Sequence, residues 1–456
     1  MSGFVKRWFG FAFNKEGVMK SSLKKSGMAA AVTAAFAVAS GAAGAAGFAL
    51  IEQSGSGMGN AYAGAAASAE DASTVFFNPA GMSYLEGPQA AVAAHVISLS
   101  AKFSGSATNP AAFGGGAGSG GNGGEAGAAA VVPNLYFAMP IGEGLHAGLG
   151  INVPFGLTTE YDENWSGRFQ GIKSELATLN INPSVSYKVT DAVSIGGGVN
   201  YQRLDAELTN AVVLPGPAEG RTKLEADGDG WGWNIGAIFQ LTPMTRIGIA
   251  YRSEVEYELE GNVTTTFGGS VIGAASGPSR ADITMPDSFS LSLAHAVSDR
   301  LQLLADVTRT GWSSIEQVRV VDSTNGTLRD VLNLDFQDAW RYSIGANYKY
   351  NETWTLKAGL AYDETPVKGA TTRTVRLPDN NRTWISFGGQ MKVGQSGRLD
   401  LGYSHLFIED ADINNTRSQQ APGLTVPTAA PGTATTVSGA FEGSVDIFSI
   451  QYTHSF

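Results

Sequence analysis

The first residues to test for chemistry are the five histidines, His95, His146, His295, His405 and His454, which are scattered along the chain with no metal-ligand spacing. The chain has no cysteine, so thiolate nucleophiles, thiolate metal sites and disulfides are excluded. Acidic residues number 41 against 30 basic ones, but no spacing sets two carboxylates as an acid–base pair, and they are expected to be loop and lumen charge. A serine–histidine–acid triad is recognised by its meeting in space, which spacing neither finds nor excludes. No enzymatic activity and no cofactor are expected. The run Gly55–Gly59 superficially resembles a phosphate-binding loop, but no strand precedes it and no lysine follows it. Asn78-Pro79-Ala80 carries a different kind of information. Asparagine bonds its own neighbouring backbone and proline fixes φ, so the tripeptide predicts a rigid corner.

The elements that hold these residues are bounded by composition. There are 59 glycines in 456 residues, and the mean hydropathy of −0.03 is close to neutral. No linker rich in proline or charge divides the chain, so one large unit is the simplest organisation. The first 45 residues carry Lys6, Arg7, Lys15, Lys20, Lys24 and Lys25 against Glu16, so the overall charge of −11 leaves −16 on the remainder. Nucleic acid is therefore not an expected partner, because phosphate binding needs concentrated positive charge. Lys20, Lys24 and Lys25 precede an uncharged stretch from Met28 to Val38, and Ala43-Gly44-Ala45 supplies a small-x-small cleavage pattern. Residues 1–45 are read as an export signal, with Met19 an alternative start and the mature chain beginning near Ala46. Beyond it no run of 18 apolar residues offers a spanning helix, so membrane residence requires a closed barrel.

Period-two alternation recurs along the mature chain. Phe289, Leu291 and Leu293 fall on one face while Ser288, Ser290, Ser292 and Ala294 fall on the other. Phe448, Ile450, Tyr452 and Phe456 likewise alternate with Ser449, Gln451, Thr453 and Ser455. Six short turns, Pro140–Gly144, Lys188–Ala192, Leu241–Thr245, Val297–Arg300, Tyr350–Thr353 and Val393–Gly397, predict twelve strands. A first strand near Ala90–Ser100 and a last near Ser444–Phe456 complete an all-β fold, a 14-stranded antiparallel transmembrane β-barrel over residues 87–456. Long irregular connections are expected at 101–130, 154–174, 209–228, 260–281, 317–331, 364–381 and 408–442. Short turns on one side and long loops on the other are the asymmetry of outer-membrane barrels, which a soluble sandwich lacks. Tyr187, Tyr201, Tyr251, Tyr348, Tyr350, Trp354, Tyr362 and Tyr403 suit interfacial girdles. The terminal Phe456 resembles the signal read by the barrel-assembly machinery. The Gly-rich stretch 113–128 and the Pro/Thr/Ala-rich stretch 421–438 read as mobile extracellular loops.

Residues 46–86 do not alternate and are rich in glycine, alanine and serine, which suits a small hatch inside a lumen too wide for wall side chains to fill. Here the chain resembles a known family. Gly47-Phe48-Ala49-Leu50, Gly55-Ser56-Gly57-Met58-Gly59-Asn60-Ala61-Tyr62-Ala63-Gly64 and Asp71-Ala72-Ser73-Thr74-Val75-Phe76-Phe77-Asn78-Pro79-Ala80-Gly81 are similar to the hatch of the FadL family of long-chain fatty-acid transporters. Pro154-Phe155-Gly156-Leu157, Asp338-Ala339-Trp340-Arg341, Asp363-Glu364-Thr365-Pro366-Val367 and Pro378-Asp379-Asn380-Asn381-Arg382-Thr383-Trp384 extend the resemblance over nearly all of the mature chain.

The resemblance implies passive uptake of hydrophobic molecules: capture outside, transfer to a luminal pocket, displacement of the N-terminus and exit through the wall. It makes Asn78, Pro79 and Ala80 a hatch corner and Phe48, Ala49 and Leu50 the residues that a ligand displaces. The family's wall opening lies in its third strand. Proline cannot donate to a sheet ladder, so a lateral gate is expected around Gly148, Gly150, Asn152, Val153, Pro154, Phe155 and Gly156. A fatty carboxylate needs a cationic or hydrogen-bonding partner, for which Arg168, Arg203 and Arg341 are candidates. Alternation from Val193 to Tyr201 puts Arg203 on the outward parity unless a bulge intervenes, and Gln337 stands where relatives can carry lysine. Neutral aromatic or aliphatic hydrocarbons are the rival solutes, and a general porin is the further alternative. Expected partners are hydrophobic small molecules, outer-membrane lipid and lipopolysaccharide, and the assembly machinery, with the chain a monomer in the outer membrane.

Overall fold

A computed structural model describes residues 47–216 and 218–456; the expected export signal and its cleavage point lie outside them. Fourteen wall strands follow in chain order: β1 (Gln89–Ala107), β2 (Ala129–Gly142), β3 (Leu145–Asn152, resuming at Gly156–Glu160), β4 (Lys173–Lys188), β5 (Val193–Leu214), β6 (Ala218–Thr242), β7 (Thr245–Arg252 and Val255–Phe267), β8 (Gly277–Met285 and Ser288–Ala296), β9 (Leu301–Thr310 and Gln317–Asp322), β10 (Leu328–Asn333 and Ala339–Lys349), β11 (Trp354–Asp363), β12 (Arg382–Val393), β13 (Gly397–Ile408 and Ala411–Arg417) and β14 (Thr435–Ser455). Each strand pairs antiparallel with its sequence neighbours. Pairing of β1 with β14, from Gln89 opposite Ser455 to Ala107 opposite Val437, closes the cylinder.

The side-chain faces explain why the cylinder suits lipid. Ile344, Phe387 and Phe448 point outward and are 58–61% exposed, while Asn200, Ser386, Ser404 and Gln451 point inward and are fully buried. This is the reverse of a soluble domain. A closed sheet pairs its backbone internally and can present an oily outer face to a bilayer. The six short turns lie where the sequence predicts them, all at one end with both chain termini of the barrel.

At the other end the expectation of irregular connections is corrected. Segment 209–228 belongs to a ribbon in which β5 and β6 stay paired out to Leu214 opposite Ala218. Strand segments also occupy parts of 101–130, 260–281, 317–331 and 408–442. Hydrophobic alternation fades where strands rise beyond lipid, and charge holds the ribbon instead. Lys173 bridges Glu175 and Glu207 at 2.7 and 3.2 Å, and Lys223 bridges Glu207 and Glu225 at 3.0 and 2.9 Å.

The segment before β1 forms single turns of helix, α1 (Gly55–Met58), α2 (Ala65–Ser68) and α3 (Thr74–Phe77), then a 3₁₀ turn at Pro79–Tyr84. It lies inside the barrel and touches inward faces all around the wall. Wall glycines make that approach possible: a Cβ on Gly248 of β7 would come within 1.9 Å of the Ala66 carbonyl oxygen, and one on Gly359 of β11 within 2.2 Å of the Asn60 carbonyl carbon.

Candidate functional site: a wall break and the cavity beside it

The β2–β3 ladder ends with Leu135 opposite Ile151. On the other flank, β3 pairs with β4 to Asn152 opposite Asn180 and resumes at Gly156 opposite Ala177. Val153, Pro154 and Phe155 thus oppose only two residues, a β-bulge formed where Pro154 has no N–H to give. Beyond it β3 follows β4 alone, which leaves the β2 edge from Ala129 to Asn134 without a β3 partner. Gly148 and Gly150 remain in regular pairing with Ala138 and Tyr136, so the break spans 152–156.

Residues 48–53 occupy that break. Leu50 N–H donates to the Pro154 carbonyl and Gly156 N–H to the Phe48 carbonyl, both at 2.8 Å, placing Ala49 opposite Phe155 as one rung of antiparallel sheet. Asn134 Nδ2 donates to the Glu52 carbonyl and Gln53 Nε2 to the Val153 carbonyl, each at 2.8 Å, so both lips of the break are stitched to the same short segment. Phe48 packs edge-on against Trp312, ring centroids 4.7 Å apart, and against Phe155. The structure therefore brings together two groups of residues singled out separately, Phe48–Leu50 and Val153–Gly156.

Beside this rung lies a cavity of roughly 1000 Å³, mouth included, walled by Leu50, Phe76, Phe77, Phe155 and Trp312 with Arg252, Arg341 and Asp363 among its polar lining. Arg341 donates to the Ala61 carbonyl at 2.8 Å and lies 5.1 Å from the Trp384 ring, and its buried Nε has no hydrogen-bond partner among the described residues. Arg252 donates to the Phe76 carbonyl at 2.9 Å, stacks over that ring at 4.3 Å and contacts Asn200. Sequence reasoning missed Arg252, although Ile247, Ile249 and Tyr251 set the outward parity of β7 and leave an arginine facing in.

The other two candidate arginines lie elsewhere. Arg168 makes a two-pronged contact with Glu219 at 2.9 Å and donates to the Ser119 carbonyl, within the outer loops. Arg203 has the outward parity that alternation indicates and pairs with Asp227 at 2.6 Å and Asp205 at 3.4 Å.

The rest of the segment is fastened more firmly than its beginning. Asn78 Nδ2 faces the carbonyls of Ala66 at 2.7 Å, Ala237 at 3.1 Å and Ile249 at 3.3 Å, while its Oδ1 accepts from Ala80 N–H at 3.1 Å. The corner is thus tied to β6 and β7, and Pro79 opens the 3₁₀ turn. Across the lumen, Lys357 reaches the Ser56 carbonyl, Glu70 and Asp400 at 2.9, 2.6 and 3.2 Å, and Gln451 joins Gly55 N–H and Asp71. Residues 48–50, by contrast, hold the wall through backbone bonds and apolar packing. Between these regions sits Glu52, buried, with Oε2 unpartnered among the described residues. Burial pushes its carboxyl up to about 7 against the pull of Arg341 and Arg382.

The family described as outer membrane protein transport protein (OMPP1/FadL/TodX) matches residues 36–456. Outer membrane protein P1 of Haemophilus influenzae is 31% identical over 411 residues, 82% of this chain and 88% of that protein. The long-chain fatty acid transport protein of Escherichia coli (strain K12) is 29% identical over 434 residues, 87% of this chain and 94% of its own. The crystal structure of a Pseudomonas aeruginosa FadL homologue superposes with a TM-score of 0.82 at 24% identity, covering 90% of this chain and all of that one. The family assigns transport rather than catalysis, and it gives no support to a general porin. With a closed 14-strand barrel and a match over nearly its whole length, the chain belongs to the OMPP1/FadL/TodX family of outer-membrane transport proteins.

Proposed function

We propose that the protein carries long-chain fatty acids across the outer membrane by diffusion, through the cavity beside β3 and out through the wall break once residues 47–54 are displaced. The observation that carries this is the single rung between Ala49 and Phe155, a removable strand standing between an apolar cavity and an interrupted ladder. Burying a tail in such a cavity gives about 0.8 kcal/mol per methylene, so no energy source is needed for capture. A carboxylate head then finds Arg341 and Arg252, the first with a donor to spare. Residues 55–84 act as the fixed part of a hatch, and residues 47–54 as its movable edge. The name of the Escherichia coli relative, a long-chain fatty acid transport protein, agrees with this solute class.

Neutral hydrocarbons form no ion pair with these cations, and competition therefore separates the two solute classes. Purified protein is expected to bind oleate in preference to toluene, and Arg341→Gln to lower oleate affinity about tenfold while leaving toluene unchanged. An oleate affinity that ignores this substitution, alongside tighter toluene binding, contradicts the fatty-acid assignment.

A further inference from the structure

A second cavity, roughly 770 Å³ with its mouth, lies among the long loops and not beside the wall break. Residues from four connections meet there, including Gln170, Leu332, Arg376 and Pro427. Among the described residues its lining contains two arginines, Arg376 and Arg417, and no carboxylate. Arg376 is 5% exposed. All its bonds go to neutral oxygens: the carbonyls of Lys173 and Thr209, Ser174 Oγ and Asn210 Oδ1, at 3.0–3.2 Å. Its Nε, like Thr374 Oγ1 in the same lining, is buried with no hydrogen-bond partner among the described residues. Arg417 is held by Asp330, which lies outside the lining, and by the Gln170 carbonyl at 2.8 Å.

A buried guanidinium surrounded only by neutral acceptors is costly unless an anion completes it. Burial, then the neighbouring Arg417, holds its pKa down at about 9, as expected of a cation short of negative charge. One positive charge thus remains after Asp330 is counted against the two arginines. Val331, Leu332, Val375 and Pro427 give the same cavity an apolar side, which a bare inorganic anion does not require.

We infer that this loop cavity is a binding site for an anionic amphiphile, with Arg376 taking the carboxylate head and Val331, Leu332 and Val375 the first methylenes of the tail. The inference rests on the proposed transport of fatty acids and adds a charge-selective site remote from the luminal cavity. Arg168, one of the candidate carboxylate partners, plays no part, because Glu219 already occupies it.

The test uses the full chain in a neutral detergent, with Asn333→Cys at the exposed edge of the cavity carrying a polarity-sensitive dye; the absence of native cysteine keeps the label unique. Decanoate, decanol and inorganic phosphate are titrated. Decanoate is expected to bind at least tenfold tighter than either, and Arg376→Gln to abolish that advantage while sparing decanol. Asp330→Asn, which frees Arg417, is expected to raise decanoate affinity several-fold, a gain that damage to the loops does not mimic. Equal binding of decanoate and decanol, phosphate binding as tight as decanoate, an indifferent Arg376→Gln or no gain in Asp330→Asn each overturns the site. Oleate uptake by cells carrying the unaltered chain is measured in parallel. Uptake without an effect on the dye sinks the cavity alone, whereas no uptake sinks the transport proposal whatever the dye reports.

Discussion

Glu52 is the residue at which closure becomes sensitive to pH. Its carboxyl is pushed from 4.5 to about 7 by burial while the segment is seated, and on leaving the site it returns to the ordinary value. The seated state therefore binds the proton more tightly. Seating is strongest below about pH 4.5 and weakens as pH rises through 7, by on the order of 3 kcal/mol at about 1.4 kcal/mol per unit. Hydrogen exchange of residues 47–54, corrected for intrinsic rates, is expected to speed up over that window, and Glu52→Gln to flatten the profile. An unchanged slope in Glu52→Gln contradicts this role. Residues differ in how far the sequence exposes them. Asn78 is legible because its cap on Ala80 is local, whereas its bonds to β6 and β7 are not. Arg252 becomes visible once the parity of β7 is written down. The packing of Phe48 on Trp312 joins distant segments that no local pattern relates.

Strand-level structure follows from alternation and turn chemistry where the wall faces lipid. All six short turns come out where the sequence predicts them, each holding at least one glycine, proline, asparagine or aspartate. The β5–β6 ribbon did not announce itself, since its outward face is charged and its cross-strand pairs there are ionic. The break in β3 was signalled by Pro154, but its extent was not: Gly148 and Gly150 stay within the ladder because their missing side chains make room for Met82 and Tyr136. Glycines of the wall face likewise limit what the interior can hold. A valine at Gly248 collides with the Ala66 carbonyl and cannot coexist with the seated segment. Gly248→Val is expected to turn a quiet barrel into one with stepwise ion conductance in planar bilayers. Gly389→Val, where the nearest atoms stand 3.8 Å away, is expected to remain quiet. A silent Gly248→Val contradicts closure by this segment.

At the scale of the whole molecule, two inversions define the protein. Its outside is apolar and its inside polar, and its interior is filled by residues 47–84 rather than by wall side chains alone. The first inversion places the chain in the outer membrane and was legible in period-two patterning. The second depends on contacts between residues 47–84 and strands around the wall, which the sequence foreshadows only through composition. Closure at the wall break includes one backbone rung beside the side-chain bonds of Asn134 and Gln53, and that rung can be locked. Ala49 and Phe155 form a non-hydrogen-bonded antiparallel pair, for which Cα atoms lie about 4.5 Å apart, within disulfide reach. The direct measurement is oleate uptake by Ala49→Cys/Phe155→Cys in a chain with no other cysteine. Uptake is expected to fall to background when the pair is fully oxidised and to recover on reduction; equal uptake in both states contradicts transport through this break.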